Sequence, residues 1–131
     1  MIRINVSAIP VNDQDKAERF YVDMLGFVKK RDIPFDGGRW LTVENPDGSG
    51  VELLLEPAGF EFAKVYQKAL YDNGIPVTSF GSDDIDADYE RLSKMGVSFR
   101  GPPDGEAGTN VRVALVEDGC GNLIMLTQEA S

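Results

Sequence analysis

Twenty-two carboxylates face thirteen Lys and Arg side chains in this sequence, with one cysteine and no histidine. Without imidazole the chain lacks the commonest general base, any Ser-His or Cys-His nucleophile pair, and the commonest metal ligand. Chemistry is left to carboxylates, hydroxyls, amides and one thiol. Cys120 sits in a glycine-rich turn beside Glu117 and Asp118, whose negative charge opposes thiolate formation, so it is not expected to be a nucleophile. The acidic clusters Asp13/Asp15 and Asp83/Asp84/Asp86 lack the spacing of a calcium loop and read as helix caps. Glu52 is different. In the run Val51 to Glu56, Val51, Leu53 and Leu55 form one apolar face and Glu52, Leu54 and Glu56 point the other way. A carboxylate among apolar neighbours is expected to have a raised pKa and can serve as a general acid/base. Its alternative is an ordinary solvated acid on an exposed strand face.

The elements that position these residues follow from periodicity. Ile4, Val6 and Ala8 alternate with polar residues, giving a strand over 2–9. Asp13 caps a helix whose apolar positions Ala17, Phe20, Tyr21, Met24 and Leu25 recur every three or four residues, with Gly26 as its stop. Tyr21, and later Tyr89, fall on core-facing positions. Strands are predicted over 27–33, 39–44 and 51–56, separated by Gly37-Gly38 and by the turn Asn45-Pro46-Asp47-Gly48. A helical connector over 60–73 ends at Gly74-Ile75-Pro76. The order then repeats: a strand over 77–81, an Asp83-Asp84 cap, a helix over 85–95, and strands over 97–100, 111–117 and 123–127.

Residues repeat as well as elements. Asp13 and Asp84 open the two helices, and Asp47-Gly48 and Asp118-Gly119 open the two last strands; both pairs are 71 apart, since 84 − 13 and 118 − 47 give the same offset. A shared offset with the same element order argues for a duplicated β-α-β-β-β unit. One domain of two modules is expected, 1–57 and 76–131, joined by the connector 58–75. A single unit cannot cover both faces of its sheet, so two must pair.

The net charge of −9 and the absence of a basic cluster longer than Lys29-Lys30-Arg31 argue against nucleic acid as a partner. No apolar run approaches the ~20 residues of a membrane helix, so no membrane partner is expected. One cysteine and an N-terminus without a signal-like apolar stretch suggest a cytoplasmic location.

The motifs Val11-Asn12-Asp13, Phe20-Tyr21 and Leu25-Gly26-Phe27 in the first half make the chain resemble the vicinal oxygen chelate superfamily of glyoxalases, bleomycin-resistance proteins and extradiol dioxygenases. The second half adds Asp83 to Ala87, Tyr89 to Leu92, Gly96 to Phe99, Pro102-Pro103 and Asp118 to Ile124. The resemblance covers essentially the whole chain. It implies an α+β fold in which two βαβββ modules form curved sheets around a cleft, and commonly a homodimer. The metalloenzymes of that superfamily take ligands from the first and last strands of each module. Here those positions hold Val6, Glu52, Val77 and Met125. Two valines and a thioether leave one hard donor in four, so no metal and no cofactor are expected.

Parity on the remaining strands turns Trp40, Thr42 and Glu44 toward the cleft and Leu41 and Val43 toward the core. On 111–117 the odd positions read as core, which turns Arg112 and Ala114 to the cleft, where Arg112 would clamp a carboxylate or pair with Glu52 or Glu44. The expected pocket is therefore Trp40, with Phe80 as a further aromatic, Val6, Thr42, Leu54, Val77 and Met125 around Glu52 and Arg112. This mixture suits a small organic ligand with one or two polar groups. Two readings stay open: metal-free binding of a small molecule, and a glyoxalase-type lyase, isomerase or dioxygenase using Glu52. An interaction role for the aromatic connector, with Phe60, Phe62, Tyr66 and Tyr71, is a third.

Overall fold

A computed structural model describes residues 1–105 and 108–129. The first half contains β1 (Val6–Val11), α1 (Gln14–Glu18) with a π-helical continuation (Arg19–Met24), β2 (Val28–Phe35), β3 (Gly38–Glu44) and β4 (Glu52–Pro57). After α2 (Glu61–Asp72) come β5 (Thr78–Gly81), α3 (Ile85–Lys94), β6 (Asp104–Gly105), β7 (Val111–Glu117) and β8 (Leu123–Glu129). The strands form two four-stranded sheets of matching order, β1-β4-β3-β2 and β5-β8-β7-β6. In each, the first and last strands pair in parallel, Val6 against Glu52 and Thr78 against Ile124. The fold is the α+β arrangement of two βαβββ units.

Corresponding aspartates do corresponding work. Asp13 accepts from the Lys16 amide at 3.0 Å and Asp84 from the Ala87 amide at 3.1 Å, each capping the helix it precedes. Asp47 accepts from the Ser49 amide at 2.9 Å and Asp118 from the Cys120 amide at 2.7 Å, so both turns are closed by an aspartate two residues upstream.

The expected first helix is not uniformly α. After Glu18 it widens, and the Leu25 amide bonds to the Phe20 carbonyl five residues back at 3.0 Å. The widened turn ends at Gly26, whose φ of +91° is the left-handed conformation that glycine adopts at least cost. Phe20 and Tyr21 are both buried. The segment expected as a strand over 97–100 contributes only a single bridge, Phe99 to Val116.

The core runs through both modules. Ile9, Val11, Leu41, Val43 and Leu55 from the first sheet pack with Ala17, Phe20 and Tyr21, and this cluster continues into Ile85, Leu92, Ala114, Val116, Ile124 and Leu126. Phe80 joins the halves, with its ring edge-on to Tyr21 at 6.2 Å and to Phe27 at 5.1 Å. Two glutamines act as polar staples. Gln14 donates to the carbonyls of Arg39 and Leu55 at 2.7 and 2.8 Å and accepts from the Arg39 amide at 3.0 Å, tying α1 to β3 and β4. Gln67, buried on α2, donates to the carbonyls of Pro10 and Cys120, both at 3.0 Å, and so bridges the modules. Each supplies side-chain donors to backbone carbonyls of more than one element.

Candidate functional site

Strand pairing sorts the side chains into two faces, because partners across a ladder point the same way. On the first sheet, Leu41, Val43 and Leu55 face the helix and are buried. The opposite face carries Val6 beside Glu52, Leu54 beside Thr42, Arg31 beside Thr42, and Ile33 beside Trp40. Trp40 is 40% and Ile33 53% exposed, so an aromatic and an aliphatic side chain lie open next to a polar centre.

Glu52 is that centre. Its Oε1 accepts from the Thr42 hydroxyl at 2.8 Å and from Arg31 Nε at 3.0 Å. Thr42 is fully buried. Partial burial pushes the Glu52 carboxyl up, but the bonds from Thr42 and Arg31 and the charges of Arg31 and Lys30 outweigh it and hold the group below the usual carboxylate range. The direction is the reverse of that expected from its apolar sequence neighbours. Glu52 is therefore ionised, and a poor proton donor, near neutral pH.

Arg31 is the partner that sequence reasoning missed. A β-bulge between Lys29 and Arg31 shifts the register of β2, so that Val28, Arg31 and Ile33, rather than strictly alternate residues, share the Glu52 face. Counted at period two from Val28, Arg31 would fall on the other side. The dipeptide Lys30-Arg31 flanking the bulge supplies both charges that lower the Glu52 pKa, yet its sequence gives no sign of the slip.

Arg112 does not join this centre. In the ladder of β7 with β8, Ala114 pairs with Leu126 and Val116 with Ile124, all buried, and Arg112 shares their side of the sheet. Its guanidinium bonds Asp86 of α3 and, at 3.2 Å, the Pro103 carbonyl. The expected parity of β7 is therefore inverted: Ala114 and Val116 are core, and Val111, Val113 and Leu115 are the half-buried open face. Hydrophobicity could not decide this, because apolar residues occupy both faces and only contact with α3 distinguishes them. Arg112 pairs with neither Glu52 nor Glu44.

Met125 lies on the open face of the second sheet, opposite Leu115 on one side and Ser79 on the other. Val77 is one strand step outside β5 and is tied by its amide to the Leu123 carbonyl at 2.9 Å. Phe80, considered as a second aromatic of the pocket, faces the other way into the core with Tyr21 and Phe27. Among the described residues, no hydrogen bond or ion pair joins the Glu52 face to the Met125 face.

The superfamily's metal position does not fit the residues present. Val6, directly across from Glu52, has no donor atom, and the Glu52 oxygen is already engaged by Thr42 and Arg31. Among the described residues, no three Cys, Asp or Glu side chains converge as a metal-binding group. Cys120, in its glycine-rich turn, is fully buried, and its thiol is pushed up to about 12 by burial first and by Asp118 second. Tyr89 packs edge-on against Phe99 at 4.8 Å. No helix among the described residues is long and apolar enough to cross a membrane.

Comparison with known proteins agrees with this architecture. The uncharacterized protein YurT of Bacillus subtilis (strain 168) is 45% identical over 131 residues, covering 98% of this chain and 100% of that protein. The crystal structure of TnmS3, an antibiotic binding protein from Streptomyces sp. CB03234, is 31% identical, with a TM-score of 0.77 and coverage of 99% of this chain and 98% of that one. UcmS2 is 30% identical with a TM-score of 0.77, covering 97% and 98%. Residues 3–126 match the Glyoxalase/Bleomycin resistance protein/Dioxygenase superfamily, and the chain belongs to it.

Proposed function

We propose that this protein binds a small organic molecule reversibly and without a metal, on the open face built around Glu52. The observation that carries this reading is the state of Glu52 itself. Two of the protein's own donors hold it as an anion, beside an exposed indole and on a surface otherwise lined by Val6, Thr42 and Leu54. Such a centre anchors a ligand's cationic or donor group while Trp40 covers a flat apolar portion. The likeness to TnmS3, an antibiotic binding protein, supports the same class of ligand.

The protein works as a homodimer in this reading. The open face of the second module, with Val77 and Met125, comes from one copy and closes over the Glu52 face of the other. Arg112 is left outside the ligand contacts, and Glu52 serves as anchor rather than as acid or base.

Calorimetric titration with a panel of aromatic antibiotics, in buffer containing EDTA, tests the proposal. Saturable uptake indifferent to chelator, and weakened at least tenfold in Trp40→Ala and in Glu52→Gln, is the expected outcome. Stoichiometric manganese or nickel retained through dialysis, and lost in Glu52→Ala, overturns it in favour of metal-dependent glyoxalase-type chemistry.

A further inference from the structure

A cavity of about 490 Å³ lies away from the Glu52 face, between the helical segment after Asp13, α2, the Gly96–Ser98 turn and the Asp118–Asn122 loop. Its apolar wall is made by Phe20, Met24 and Val97, and its rim by Lys16, Arg19 and Tyr71. Charge is distributed unevenly around it. Nine of the thirteen Lys and Arg side chains make ion pairs, whereas Lys16 and Arg19 make none among the described residues. They stand three positions apart, hence on one face of the helical segment.

The carboxylates that border the cavity already have donors from within the fold. Asp118 accepts from the Tyr21 hydroxyl, the Asn122 side-chain amide and the Cys120 and Asn122 amides. Glu117 is held by the Tyr71 hydroxyl and by Arg100 at 3.7 Å. Gly119 and Gly121 also line the cavity, and their N–H groups meet no acceptor among the described residues. Lys16 and Arg19 balance Glu117 and Asp118 on the lining, so in a chain of net charge −9 the cavity is locally neutral.

We infer that this cavity is a second ligand site, for an organic anion with an apolar body whose carboxylate meets Lys16, Arg19 and the glycine amides while its rings lie against Phe20, Met24 and Val97. The volume falls within the ordinary range of about 300–1,000 Å³ for small-molecule pockets. A pair of partly exposed cations also makes uptake fall with ionic strength. The site lies on the helix side of the first sheet and is independent of ligand binding at Glu52.

Titration of the ¹⁵N-labelled protein with 2-naphthoate, and separately with uncharged 2-naphthalenemethanol, tests the assignment by the movement of backbone amide signals. With naphthoate, the amides of Gly96, Ser98, Gly119 and Gly121 shift saturably, and the alcohol binds at least tenfold more weakly. The double substitution Lys16→Glu/Arg19→Glu weakens naphthoate at least tenfold; unchanged signals elsewhere establish that the variant is folded. The neutral pair Lys16→Gln/Arg19→Gln gives an intermediate loss. The inference is overturned if those four amides do not move, if Thr42 and Leu54 respond instead, or if the charge-reversed protein binds naphthoate less than tenfold more weakly.

Discussion

The Tyr21 hydroxyl donates to Asp118 Oδ2 at 2.6 Å, joining residues 97 positions apart inside the shared core. Tyr21 reaches this position from the π-helical turn of the first module, and Asp118 is the turn-closing aspartate of the second. One bond thus couples a local irregularity in one half to a loop in the other. Tyr21→Phe keeps the ring packing and leaves a buried carboxylate oxygen short of a donor. A loss of about 1.5–3 kcal/mol is expected, the range for hydrogen bonds to charged groups. Urea unfolding of the variant, with an unchanged m-value, measures it; a loss below about 0.5 kcal/mol, the lower end for a net hydrogen bond, would show that water replaces the phenol.

Cys120 makes stability depend on alkaline pH. Its thiol is raised from 9.0 to about 12 in the fold, chiefly by burial. The unfolded chain therefore releases this proton first, so stability is fully present below pH 9.0 and declines as pH rises from there toward about 12. The Tyr21 hydroxyl, raised by burial and by Asp118, acts in the same direction above 10.0. Cys120→Ala should flatten the first part of this decline in denaturation curves taken across that window. In the native protein the thiol should also resist a disulfide reagent at neutral pH, and rapid stoichiometric labelling would contradict the buried placement.

Glu52 should titrate below an ordinary glutamate. Removing the hydroxyl with Thr42→Val, or the guanidinium with Arg31→Ala, takes away a group that favours the anion, so either variant moves its pKa upward. Because the folded pKa is depressed, the associated stability is present above the unfolded value and is lost as pH falls through the folded one. Carboxyl-carbon NMR titration reads the shift directly. An unchanged Glu52 pKa in both variants would remove the basis for treating it as a fixed anion.

Two glycines with similar backbone angles should differ in their tolerance of alanine. Gly26 has φ +91° and open space where a Cβ would stand, so Gly26→Ala meets only the left-handed penalty of about 1–2 kcal/mol. Gly121 has φ +96°, and an added Cβ would lie 2.8 Å from Gln67 Nε2. That amide is already committed to Pro10, Cys120 and Asn122 and cannot swing away without losing them. Gly121→Ala should therefore cost at least about 1 kcal/mol more than Gly26→Ala, since buried carbonyls lose a donor as well. Equal losses in parallel thermal or urea melts would show that the Gln67 staple yields freely.

The order of elements apart from β6, the two aspartate caps, the glycine stops and the burial of Leu41, Val43 and Tyr21 could be read from the chain before any fold was known. Each of these rests on interactions within a few residues or on a periodicity with one apolar face. The scarcity of metal donors across from Glu52 was also legible, because it depends only on side-chain type. Long-range packing settled the rest. In β7 both faces are apolar, so only the packing of α3 made Ala114 and Val116 core and carried Arg112 to Asp86. Around Glu52, the Thr42 hydroxyl and, through a bulge in β2, Arg31 together reversed the direction of the pKa shift. A slip of one residue exchanges the faces of a strand, and nothing in the composition of Lys29-Lys30-Arg31 records where that slip occurs.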